Sequence, residues 1–222
     1  MSDATSPDTP EPSFVPRSRK AFALCLLATV LLTAADLGTK AWALDALSTD
    51  PPGEPPPVCE ADEYGRIAYQ RGRGTPIVLI EGRLELRYAE NCGAAFGILR
   101  EAPGLVRHLF FGAAAIAASL ALLWMFATGR GGPYFAWSVP FIVSGALGNL
   151  ADRLRLGYVV DFIRYHWNDP LPGLGTEWPT FNVADATITV GVVLLLLDGW
   201  REGKAEKAAK AAAEGEEPAP AS

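Results

Sequence analysis

The chain has 222 residues, 50% of them hydrophobic and 20% charged, with a formal net charge of −6. Its pI near 5.0 and mean hydropathy of +0.16 exclude a nucleic-acid partner, which would need a basic face. That charge content is too high for a chain buried wholly in a membrane and too low for a disordered one, so apolar runs must be segregated from polar ends. Three cysteines are too few for a disulfide scaffold, and neither His108 nor His166 adjoins a cysteine. No metal centre and no other cofactor is therefore expected.

Residues 1–20 open on a Ser-, Thr-, Pro- and Asp-rich stretch that buries too little apolar surface to order itself, and they are read as a disordered cytoplasmic tail. Arg17, Arg19 and Lys20 then precede an apolar run that is interrupted at Asp36 and resumes through Leu44. Basic residues, an apolar stretch and the small Thr33, Ala34 and Ala35 imitate a secretory signal peptide. Three further apolar runs make this segment the first membrane anchor instead. The spans are placed at 21–44, 106–128, 133–154 and 183–200, with Pro140 as a breaker inside the third. Together they form a membrane domain over 21–200, followed by a second cytoplasmic tail over 201–222.

Between the first two spans, 51–74 is a Pro-, Gly- and charge-rich surface insert. Ile77–Ile80 and Leu84, Leu86 and Tyr88 then alternate around Glu81-Gly82 as two strands, giving a small sheet, or cradle, over about 75–100. The fold class expected is integral membrane and mainly α, four transmembrane helices with a small extracytoplasmic β-sheet cradle. Four spans put both termini on one side. Basic residues before the first span, Arg130, and Arg201, Lys204 and Lys207 mark that side as cytoplasmic.

Ionisable residues inside a membrane are expensive, so they invite a functional reading. Asp36 lies about 22 Å along the first helix, at about 1.5 Å per residue, near its outer end. Alternating helix direction brings Asn149, Asp152 and Arg153, then Asp161, then Asn182 and Asp185 to the same outer layer. Asn149, Asp152 and Arg153 share one helix face by their spacing, Gly145 and Gly148 allow a close helix neighbour, and Asn182 is placed to cap the fourth span. Within this layer Asp36, Asp152, Asp161 and Asp185 oppose Lys40, Arg153, Arg155 and Arg164, a formally neutral set. Such residues can simply cap, snorkel or pair. Ser144 lacks the surroundings of an intramembrane serine nucleophile. Two carboxylates fit aspartyl hydrolysis, because a close pair shares one proton and splits its two pKa values. A proton-coupled transporter using the same acids is the alternative. It would place polar groups at mid-depth or show internal repeats.

The segments 91–97 (NCGAAFG), 145–153 (GALGNLADR), 157–162 (GYVVDF) and 181–185 (FNVAD), in this order, resemble the lipoprotein signal peptidase family, signal peptidase II. Asp36-Leu37-Gly38-Thr39-Lys40 is similar to its first motif, with Leu37 where Gln is usual. The resemblance implies a membrane endopeptidase cutting before the diacylglyceryl-modified cysteine of a bacterial prolipoprotein, with prolipoprotein and membrane phospholipid as partners and the monomer as the working unit. It implies Asp161 and Asp185 as the catalytic pair. Asn182 would hold them, Asn149 and Arg153 would support the site and contact substrate, Asn91 would enter from the cradle, and Asp36 would support from the first helix. Asp152 is given a structural role. A paralogue that binds precursors without cutting is a further reading, which the intact acid pair argues against. The insert and the 168–180 loop are longer than the family needs, and a Cys59–Cys92 disulfide is left open.

Overall fold

The structure, a computed structural model, describes residues 14–49, 59, 71–93, 104–171 and 175–215. Residues 1–13, 94–103 and most of the 51–74 insert lie outside the described residues. Four described helices are long and apolar enough to cross a membrane. They are α1 (Arg19–Leu47), α2 (Gly104–Ala127), α3 (Pro133–Leu156) and α4 (Val183–Gly215). Leu24, Leu27, Val30, Leu109, Leu120, Trp137 and Leu196 all point outward and exposed. A soluble bundle would hide such residues; a bundle dissolved in lipid turns them to its solvent.

Three of the helices, α1, α3 and α4, begin where an oxygen accepts their orphan amides. Ser18 Oγ takes Ala21 N at 3.2 Å to start α1. Pro133 sits in the first turn of α3, where its missing N–H costs nothing. The Asp198 carboxylate of α4 accepts Gly132 N at 2.7 Å and Tyr134 N at 3.1 Å there. Arg17 reaches the same connection, its guanidinium donating to Gly131 O at 2.9 Å and stacking 4.8 Å from Phe126. Residues 14–18 thus have a place at this end of the bundle, although the sequence reads them as part of a disordered tail. Below them Cys25, Phe126, Phe135, Val139 and Val143 form one apolar cluster.

Because lipid tails are as apolar as leucine, helix association here relies on close packing and polar contacts. Gly145 and Gly148 supply the closeness: a methyl on Gly145 would run into Ala184 O, and one on Gly148 into the Asp36 carboxylate. This locks α1, α3 and α4 together at the end opposite the Arg17 latch.

At that end the chain forms a four-stranded antiparallel sheet in the order β3 (Ile77–Ile80), β4 (Leu84–Asn91), β5 (Val159–Leu171), β6 (Gly175–Glu177). A minor ribbon pairs β1 (Ser48–Thr49) with β2 (Gly72–Arg73). The hairpin around Glu81-Gly82 is as the alternation suggests. The segment after α3, which the sequence reading leaves outside the cradle, forms a central strand, β5, paired with β4 from Leu84↔Tyr165 to Asn91↔Val159. Gly157 makes this possible: at φ 81° it ends α3 left-handed, donates to Arg153 O at 3.1 Å, and turns the chain directly into β5. Beyond Arg201, in the Ala-, Lys- and Glu-rich tail, α4 continues as helix to Gly215.

Candidate active site

Asn182 and Asp185 build the N-terminus of α4 and the centre of the site at once. Asp185 N donates to Asn182 Oδ1 at 3.0 Å, and Asn182 N donates to Asp185 Oδ2 at 3.2 Å. This is a reciprocal capping box, which requires its two residues three apart. Asp36 Oδ1 of α1 accepts the next orphan amide, Ala184 N, at 2.8 Å. The positive end of the α4 dipole therefore faces two carboxylates, Asp185 and Asp36.

Capping uses only the oxygen of the Asn182 amide, so its nitrogen is free to point the other way. It donates to Asp161 Oδ1 at 2.7 Å, with Asn149 Oδ1 at 3.1 Å and Val160 O at 3.3 Å sharing it. Asn91, the last residue of β4, donates its Nδ2 to the other oxygen, Asp161 Oδ2, at 3.0 Å. Both oxygens of Asp161 are thus held, and the residue is only 2% exposed. From α3, Asn149 Nδ2 donates to Asp185 Oδ1 at 2.8 Å. Two amides, Asn182 and Asn149, therefore join the two acids into one network.

Burial and the neighbouring Asp185 charge push the Asp161 carboxyl up to about 8, against the pull of the Asn91 and Asn182 amides and of Lys40. Asp161 consequently holds its proton to a higher pH than a free carboxyl does.

Under this pair lies an ionic layer whose cation the sequence reading counted only as a counter-charge. Lys40, 2% exposed, meets Asp36 Oδ2 at 2.9 Å, Asp152 Oδ2 at 3.2 Å and Asn149 Oδ1 at 2.8 Å. Asp152 Oδ2 also accepts Val160 N at 3.1 Å, which pins the start of β5, a structural role as expected. The signal for Lys40 was its i, i+4 spacing from Asp36 inside an apolar run, a pairing distance on any helix.

Arg153 lines the cleft rather than clasping either acid: it donates to Asn149 O at 3.2 Å, and its guanidinium lies 5.4 Å from the Phe111 ring. Arg164 belongs elsewhere, on the outer part of β5, where it pairs with Glu85 and Glu177. Arg155 is exposed. The balanced set of four and four read from the sequence is therefore smaller, with Lys40 and Arg153 as its cations. Side-chain direction on β5 sends residue 161 inward and residue 164 to the opposite face.

A cleft of about 310 Å³ opens onto Asp185, lined among others by Asn91, Asn149, Arg153, Trp178 and Ile188. Its walls are apolar on α4 and aromatic on the approach from β6, and its floor is polar. No group of three or more metal-ligating side chains occurs among the described residues.

Four lipid-facing helices with an acid–amide layer at one end, roofed by a sheet, define a polytopic membrane protein with a two-carboxylate centre near one membrane face. The family model described as "Signal peptidase (SPase) II" matches residues 28–201. The chain is 39% identical over 130 residues to the lipoprotein signal peptidase of Pseudomonas putida, spanning 59% of this chain and 73% of that one. It is 39% identical over 135 residues to the Pseudomonas aeruginosa enzyme of the same name, spanning 60% and 76%. A solved bacterial membrane enzyme, determined in meso at 2.3 Å, superposes with a TM-score of 0.59 at 25% identity, covering 82% of this chain and 90% of that one. The chain belongs to the signal peptidase II family and is a membrane-embedded peptidase.

Proposed function

We propose that this protein is an aspartyl endopeptidase that removes signal peptides from diacylglyceryl-modified prolipoproteins, with Asp161 and Asp185 as its catalytic pair. The observation that carries this reading is the shared amide network: two carboxyls, the buried Asp161 on β5 and the half-buried Asp185 on α4, joined by Asn182 and Asn149 at one end of a membrane bundle. Family membership and the names of the Pseudomonas relatives support the substrate class.

The chemistry divides between the two acids. Asp185 draws a proton from a water molecule in the cleft as the water oxygen attacks the scissile carbonyl. Asp161, protonated, donates to the carbonyl oxygen. As the tetrahedral intermediate collapses, the proton taken up by Asp185 passes to the leaving amine, and Asp161 recovers its own from the hydroxyl that becomes a carbonyl again. Asn91 and Asn182 keep the Asp161 carboxyl oriented, and Arg153 lies where the substrate backbone enters. The position of the acids at one end of the bundle, rather than at mid-depth, favours peptide cleavage at the membrane face over proton-coupled transport.

Basic residues at the Arg17 end of the bundle support a topology with both termini cytoplasmic in the bacterial inner membrane and the site at the extracytoplasmic face. Bilayer phospholipid then surrounds the outward apolar residues, and the monomer is the working unit in this reading. The test is to incubate the purified protein with a diacylglyceryl-modified prolipoprotein and with its unlipidated form. Cleavage of the modified form alone supports the proposal; cleavage of both or neither contradicts it.

A further inference from the structure

Asn91 is the one residue of the acid network that stands on the end of a strand, where pairing to β5 stops at Asn91↔Val159. Two devices compensate. Asn91 Oδ1 accepts Gly93 N at 3.1 Å, closing a turn that fixes which way the amide faces. With the oxygen so engaged, Nδ2 is directed at Asp161 Oδ2. The middle residue of that turn is Cys92, joined by a disulfide to Cys59 across 33 residues of sequence. Cys59 is buried among Leu47, Tyr88, Tyr158 and Phe162, the core beneath the sheet. The turn is thereby bolted to the core at its centre.

We propose that the Cys59–Cys92 disulfide is a positioning element for the Asp161 carboxyl, acting through the Asn91 amide, so that cleavage depends on the thiol state of this pair. The proposal rests on the reading of Asp161 as catalytic. On the extracytoplasmic side, where that reading puts the sheet, disulfides persist. Reduction requires an external dithiol: two electrons and two protons pass to the Cys59–Cys92 bond, leaving two thiols here and one disulfide in the reductant. The turn then loses its tether and Asn91 its fixed direction. The charges bearing on Asp161 come from Asp185 on α4, Lys40 on α1 and Arg153 on α3, while β4 offers the neutral Asn91 amide.

The test uses detergent-purified full-length protein and a diacylglyceryl-modified prolipoprotein. The wild type, Cys59→Ser/Cys92→Ser, Asn91→Ala and the triple variant are compared, together with wild type reduced by dithiothreitol after folding. Alkylation counts the thiols against the single free Cys25. Loss of the disulfide is expected to lower kcat about tenfold, the scale of one hydrogen bond to an ionisable group, with KM unchanged. The alkaline limb of the kcat profile moves to higher pH, because the Asn91 amide lowers the Asp161 pKa. In the Asn91→Ala background, removing the disulfide has no further effect. Unchanged kcat in both the serine variant and the reduced wild type would overturn the proposal, as would full additivity with Asn91→Ala. Should the serine variant not fold, reduction of the folded wild type decides. An active Asp161→Asn enzyme overturns the underlying reading, whereas an inactive one with an indifferent disulfide overturns only this inference.

Discussion

Lys40 Nζ donates to Asn149 Oδ1 at 2.8 Å across the α1–α3 interface, and that single contact sets the direction of an amide two acids depend on. With its oxygen held by Lys40 and by Asn182 Nδ2, Asn149 has only its nitrogen to present to Asp185. A cation beneath the site thus orients a neutral side chain above it, without touching either catalytic candidate.

Lys40→Met follows directly. It removes the counter-charge of Asp36 and Asp152, both buried. Removing one partner of a buried ion pair costs roughly 3–5 kcal/mol. The variant should melt well below wild type in detergent and cleave poorly. Adding Asp36→Asn and Asp152→Asn to Lys40→Met should recover part of the melting temperature, since no unpaired charge is then left behind, but not the cleavage rate.

Small residues on α3 give a sharper contrast. Gly148→Ala places its methyl on the Asp36 carboxylate and 3.5 Å from the Ala184 Cβ, breaking the contact that caps α4. Gly38→Ala, one turn from the same layer, meets nothing within 4 Å. Thermal melts and cleavage assays of the pair should show a severe defect in the first and near wild-type behaviour in the second.

The pH dependence has a definite sign. The Asp161 pKa is raised from 3.8 to about 8 on folding, so the native protein holds a proton that the unfolded chain releases near pH 4. The stability this contributes is fully present below the unfolded value and is lost as pH rises through about 8. Cleavage should fall as pH rises through about 8, where the folded protein loses this proton donor. Asp161→Asn, which cannot titrate, should flatten the decline of the melting temperature between about pH 4 and about pH 8, the interval in which the native protein holds the proton and the unfolded chain does not; an unchanged decline would contradict the assignment.

Arg164 supplies the negative control. Its ion pairs with Glu85 and Glu177 lie on a partly exposed face of the sheet, where such contacts contribute about 1 kcal/mol or less. Arg164→Gln should leave kcat and KM close to wild type and lower the melting temperature slightly.

The helices and the polar layer were legible in the sequence because both obey local rules: apolar length, and alternating direction that returns each polar end to one face. Asn182 and Asp185 were legible for the same reason, being three apart at a helix start. What escaped was set by tertiary pairing. Val159–Leu171 carries apolar, charged and aromatic residues without a regular alternation, so its place beside β4 could not be read from pattern alone. That strand decides the face on which Asp161 and Arg164 lie, and hence which cations belong to the site. Lys40 was legible as a counter-charge, but its inward direction was not, because a lysine near a span end ordinarily snorkels outward; only the acids of α1 and α3 together make an inward direction favourable. The Cys59–Cys92 bond depends on the fold of the sheet, which no spacing announces.

In the proposed reading Asp161 and Asp185 act as a pair that splits the peptide bond. Turnover of a diacylglyceryl-modified prolipoprotein by purified Asp161→Asn and Asp185→Asn, each verified as folded by its melting curve, tests this pairing. Both variants should fold and turnover should fall to background in each; measurable turnover in either folded variant would overturn the pairing.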